Sequence, residues 1–201
     1  MDRSGALSIS NQAEVKGSGF VFAVTLVFVI ATWLTCGIVA FGRRKPGYSH
    51  VRHTISELGE RGASDARIVA FGLFLPVGIG LAAVAILSFD RSPEMAALAA
   101  ALAAGYLGSV AFPCDVGSPM QGSFSQGMHN LAGGIQYVGG ALALARMGET
   151  VPMFTTAAAV VGIVAVILTV PNAARIRGAA QRVGEAVLFG SLAAALWRNA
   201  S

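Results

Sequence analysis

Residues 68–89 read IVAFGLFLPVGIGLAAVAILSF, 22 positions without one charged side chain. At 1.5 Å per residue a helix of that length reaches about 33 Å, enough to cross a hydrocarbon core roughly 30 Å thick. Working outward, five further segments have the length and apolarity of a span or come close: 20–41, 95–113, 129–146, 151–170 and 179–197. The fourth and sixth carry polar residues at one end, and the fourth holds the pairs Gly133-Gly134 and Gly139-Gly140. The punctuation between segments agrees. Ser92-Pro93-Glu94 supplies an N-cap, a first-turn proline and an acid. Ser64-Asp65 can cap the second helix, Pro76 kinks it, and Pro171-Asn172 closes the fifth.

Composition supports lipid as the solvent. Of the 201 residues 55% are hydrophobic and only 12% charged, against about 25% charged in a soluble domain. Mean hydropathy is +0.68. The net charge of +4 does not point to nucleic acid, because no basic run is interleaved with stacking aromatics. Excess Lys and Arg is what the cytoplasmic loops of membrane proteins carry. Cys36 and Cys114 do not make a disulfide framework. The first apolar run is too long for a signal peptide and is followed by Arg43, Arg44 and Lys45, so it reads as a retained helix.

The expected architecture is all-α: a polar tail at 1–19 and one domain at 20–198, an integral membrane bundle of six transmembrane helices. A short interfacial helix is expected in the first loop, since Thr54 and Glu57 have capping-box spacing. Ala97, Ala101, Gly105 and Ser109 form a small-residue packing stripe on the third helix. Six spans put both termini on one side. Nine of the 14 Lys and Arg then fall on the side of the first, third and fifth loops. The positive-inside rule makes that side cytoplasmic and both termini external, in a cell membrane.

That same side gathers the polar residues that look out of place. The first loop brings His50, His53, Ser56 and Glu57. The third loop is rich in Gly, Ser and Pro and without Lys or Arg; Asp115 ends one helix before it and His129 starts the next. Glu185, near the start of the sixth helix, lies about one turn inside the boundary. An ionisable residue at that depth faces protein or water. Arg182 stands three residues before it and can pair with it on one face. His50, His53, Asp115 and His129 are the candidate metal ligands, zinc being the ion that imidazole and carboxylate suit. Ser56, Glu57 and Glu185 are the candidate catalytic groups.

His53-Thr54-Ile55-Ser56-Glu57-Leu58-Gly59, then Phe112-Pro113-Cys114-Asp115 with His129, and finally Gln181-Arg182 resemble, in order, the signatures of a prokaryotic multipass membrane family known as domain of unknown function 998. The resemblance covers residues 20–197. It implies a compact bundle of about six helices and no particular activity. A more distant likeness is to the membrane hydrolases that include alkaline ceramidases and the progestin and adiponectin receptors. It would put Ser56, Asp115 and His129 around zinc, although this chain has six helices rather than seven and Glu185 where that group has a histidine pair.

Three functions follow as expectations. The first is a membrane component that binds lipid or a partner protein, with the polar cluster as a structural plug. The second is a zinc-dependent hydrolase acting on a lipid substrate. The third is a small transporter, or an ion or proton path through Asp115, His129 and Glu185, with Thr25, Thr32, Thr35, Gln136 and Tyr137 as its only trail across the bilayer. The cluster is placed at the cytoplasmic membrane face in all three.

Overall fold

The computed structural model describes the backbone of residues 3–200, the burial of Gly19 and the side chains of residues 21–199. The side chains of the tail at 1–18, including Arg3 and Lys16, lie outside the described residues. Among these residues the fold is all-helical. Six long helices follow one another: α1 (Arg3–Arg44), α2 (Ala66–Ser88), α3 (Pro93–Ala111), α4 (124–148), α5 (Pro152–Thr169) and α6 (Arg177–Ala200). α1, from Val21 onward, and α2, α3 and α5 are long and apolar enough to cross a membrane. The backbone of α1 is helical from Arg3, so the tail prolongs the first helix. The fourth helix begins at Phe124, capped by Ser123, which accepts from the Gln126 amide. His129 therefore sits more than a turn inside it rather than at its start.

Apolar side chains cover much of the outside of the bundle as well as filling its interior. Phe22, Phe28, Phe71, Ile86, Leu142 and Ile163 are all more than half exposed. Contiguous apolar surface on this scale needs a cover. Leu73, Leu81, Leu98, Leu102, Leu188 and Leu192 fill the interior. Small residues let the helices meet. Ala101 and Gly105 of the α3 stripe are buried, and a Cβ added at Gly108 would collide with that of Ala132 on α4. Ala97 is instead exposed, so the stripe packs from Ala101 onward.

Two helices carry a π-helical turn. In α2 it spans Val69–Phe74, just before Pro76. Pro76 has no amide hydrogen for the carbonyl of Gly72. The indole N–H of Trp33 on α1 donates to that carbonyl at 3.1 Å. A neighbouring helix thus satisfies the acceptor that proline releases, as a segment away from water requires. In α4 the π turn spans Ile135–Gly139, from just after the first glycine pair into the second.

The first, third and fifth connections are knitted together at one end of the bundle. The amide of Arg61 donates to Cys114 O at 2.9 Å, and Gly117 N to Glu60 Oε2 at 2.8 Å. Ala179 N donates to Val51 O at 2.9 Å and Ile55 N to Gln181 Oε1 at 2.5 Å. The capping box forms as expected: Thr54 N donates to Glu57 Oε1 at 2.8 Å, and Glu57 N to Thr54 Oγ1 at 3.4 Å. It opens a short 3₁₀ helix, Ser56–Gly59. Lys45 Nζ pairs with Glu60 at 2.7 Å and also donates to the Glu57 carbonyl, which pins the loop to the end of α1.

Candidate functional site

Glu185 is buried in α6, and two other helices aim three donors at its carboxyl group. Tyr106 of α3 donates to Oε2 at 2.7 Å. Gln136 and Tyr137, both in the π turn of α4, donate to Oε1 at 2.6 and 2.7 Å. The wider π turn lets two successive residues face the same neighbour, and such turns recur at functional sites. Two glycines make room. A Cβ at Gly105 would fall on the Gln136 amide, and one at Gly184 would lie 2.9 Å from the Tyr137 ring. The group accepts at both oxygens, which is what a buried carboxylate needs. Tyr106 is a site residue that the sequence reading left out, and Gln136 and Tyr137 entered it only on the trail of a proton path.

Arg182 lies one turn before Glu185 but does not pair with it; that expectation is corrected. Its guanidinium instead meets neutral acceptors, three from the first loop and one from α6 itself. Nη2 bonds Tyr48 Oη at 2.7 Å and His50 Nδ1 at 3.0 Å, while Nη1 bonds His53 O at 3.1 Å and Gly178 O at 2.8 Å. Those bonds use four of the five N–H groups of the fork. No carboxylate among the described residues is within ion-pair distance of Arg182. Since Arg182 can only donate, His50 Nδ1 is the acceptor nitrogen. Burial first, then the charges of Arg182 and Arg43, holds His50 below the usual histidine range. Burial likewise raises Tyr48, against the opposing pull of Arg182.

The four candidate ligands are placed in separate bonding roles. His50 faces Arg182. His53 accepts the Ser49 amide at Nδ1, at 2.8 Å. His129 Nδ1 meets the Phe112 carbonyl at 3.0 Å. Asp115 accepts from Ser123 N at 2.7 Å and Ser123 Oγ at 2.8 Å, with Arg61 at 3.6 Å. Among the described residues no group of three His, Cys, Asp or Glu side chains is arranged to hold a metal ion. Of the candidate catalytic groups, Glu57 serves the capping box and Ser56 lines a cavity together with His129. The threonine trail is also spent locally: Thr25 and Thr35 donate to the carbonyls one turn back on α1.

Asp115 and Cys114 follow the electrostatics of the loop face. The Ser123 amide and hydroxyl, aided by Arg61, hold the Asp115 carboxyl below the usual aspartate range. Burial, with Glu60 nearby, pushes the Cys114 thiol up to about 12. A depressed carboxyl stabilises the fold above its unfolded value, about 3.9, and this contribution is lost as pH falls through the lower folded value. Asp115→Asn is therefore expected to lower the melting temperature at pH 7. The gap to the parent should close as pH is taken below about 4. Thermal melts of both proteins across pH 2.5–7 check it, and a gap that is constant over the range counts against the role given to Asp115.

The site borders a cavity of about 560 Å³ between α1 and α6. Val27, Leu34, Ile38 and Phe189 form its walls, and His50, Arg182 and Glu185 supply the polar lining.

By fold and site, this is an all-helical protein whose apolar helices suit a membrane and enclose a buried carboxyl–donor cluster. The chain belongs to the family described as Protein of unknown function (DUF998), whose model matches residues 18–198. The resemblance read from the three motifs is thereby confirmed. No curated protein matches the chain, and no solved structure does.

Proposed function

We propose that the chain is a six-span membrane protein that holds one acyl chain of an anionic membrane lipid in the groove between α1 and α6. Its knitted loop face would lie at the cytoplasmic surface, where nine of the 14 basic residues fall. The groove is the observation that carries this reading. Its volume is within the roughly 300–1,000 Å³ of ligand pockets, and its walls are apolar. It runs along α6 from Arg182 to Ala193, about 16 Å at helical rise. That is close to half of a hydrocarbon core roughly 30 Å thick, the depth of one leaflet. At the loop end, Arg182 offers a positive charge without a carboxylate partner among the described residues. A chain of one-leaflet length with an anionic head matches both ends.

Gly190 gives a clean test. It lines the groove, and a Cβ there meets nothing within 4 Å. Gly190→Phe is expected to fill the groove and to displace the lipid while leaving the Glu185 cluster whole. Replacing a helix-interior glycine should itself favour the fold by up to about 1 kcal/mol. Native mass spectrometry of protein released from mild detergent should show a lipid adduct on the parent and at least a tenfold smaller fraction on the variant. Equal adducts on both would rule out this groove as the lipid site.

A further inference from the structure

A second cavity, about 170 Å³, lies on the other flank of α6, between α4 and α5. It is a different space from the acyl groove. Ser56, His129, Arg177 and Gln181 contribute to its polar lining, and Val138 and Leu168 to its apolar part. Three groups around it have unused hydrogen-bonding capacity. Arg177 Nη2 donates to Ser118 O at 2.8 Å, and the fork makes no other hydrogen bond to the described residues. His129 Nδ1 faces a carbonyl at 3.0 Å, which can only accept; Nδ1 therefore carries the proton and Nε2 is left as an acceptor. The Ser56 carbonyl takes the Cys114 thiol at 3.4 Å, while the Ser56 hydroxyl makes no hydrogen bond to the described residues.

We propose that this cavity binds a phosphate monoester. Arg177 lines the cavity with a guanidinium that makes a single hydrogen bond to the described residues, and an oxyanion is the natural complement of such a fork. The set holds two donors, the Arg177 guanidinium and Ser56 Oγ, and one acceptor, His129 Nε2. A carboxylate or a sulfate would satisfy the donors but has no proton for Nε2. A phosphate monoester has its second pKa near 6, so close to neutrality it carries a proton or shares one with the imidazole. A quaternary ammonium head would be repelled by Arg177. The volume falls well below the roughly 300 Å³ of an ordinary ligand pocket, so it takes a head group and not a chain. The same phosphate could come from a lipid such as phosphatidic acid, entering past Val138 and Leu168, or from a soluble ester.

The test uses the full chain in detergent micelles, with dioleoyl phosphatidic acid, dioleoyl phosphatidylcholine and inorganic phosphate as probes. Phosphatidic acid is expected to bind and phosphatidylcholine not. Arg177→Gln should weaken phosphatidic acid binding at least tenfold. Gly134→Leu should do the same by filling the cavity, because Gly134 lines it and a Cβ there meets nothing within 4 Å. Competition by millimolar inorganic phosphate supports the site and assigns a soluble ester; phosphatidic acid binding untouched by phosphate supports it and assigns a lipid. Parent-like affinity in both variants, or equal binding of phosphatidylcholine, overturns the proposal. Gly190→Phe should leave phosphate binding intact, so failure here and failure of the acyl groove can be told apart.

Discussion

Glu185→Ala is expected to destabilise the protein by about 3–5 kcal/mol, measured as a fall in unfolding free energy in detergent. The reason is what stays behind. Tyr106 Oη, Tyr137 Oη and Gln136 Nε2 all end on this one carboxyl group, at 2.6–2.7 Å. Removing it strands three donors inside the bundle, each worth about 1–3 kcal/mol when unsatisfied. Some relief comes from water entering along the adjoining groove, so the total falls short of the sum. Tyr106→Phe and Tyr137→Phe should each cost about 1 kcal/mol, because the carboxyl keeps its other partners. Glu185→Gln should fall between, since its amide nitrogen must face donors at one oxygen position. A parent-like melting profile for Glu185→Ala would mean that the cluster does not hold α3, α4 and α6 together.

The main features of the fold were legible because they rest on local signals. Span length, capping residues and helix-breaking prolines are set by neighbours in sequence. The six segments accordingly lie close to the observed helices, and Thr54 and Glu57 form the box their spacing implies. The meeting of three connections at one end followed from an even number of crossings and is seen in the bonds of Arg61, Ala179 and Ile55. The site was only half legible. Glu185 stood out as an acid inside an apolar helix, but its partners come from 48, 49 and 79 residues away. Three-residue spacing allows Arg182 to reach Glu185, yet nothing in that spacing reveals Tyr48, His50 and two carbonyls as competing acceptors. A signal did exist: Gln136-Tyr137, two adjacent polar residues bracketed by glycine pairs within an apolar segment, marks the π turn that supplies two of the three donors. The histidines misled for a related reason. Gathering them on one face does not make them converge, and backbone groups claim His53 and His129 individually.

Gly178→Leu is expected to cost about 3 kcal/mol and to abolish lipid retention at the same time. Gly178 stands in the first turn of α6, against the first loop. A Cβ there would lie 2.7 Å from the carbonyl oxygen of His50 and closer still to that of His53. Both obstacles are backbone, so they cannot swing aside as a side chain would. The loop is also held from both sides, by Ala179 N on Val51 O and by Gln181 on Ile55 N. Inserting the side chain must therefore push the loop off the helix and break these bonds together. Arg182 would lose its contact with His53 O and its alignment on Tyr48 and His50. The positive end of the proposed groove would then no longer be positioned for an anionic head. Thermal melts should show the loss of stability, and limited proteolysis should cut within 45–65 in the variant but not the parent. Gly190→Phe supplies the control on the same helix: a larger side chain replaces a glycine with open space above it, so lipid is lost without a fall in melting temperature. If Gly178→Leu instead melts like the parent, the loop is not clamped to α6, and the positive end of the groove has no fixed geometry.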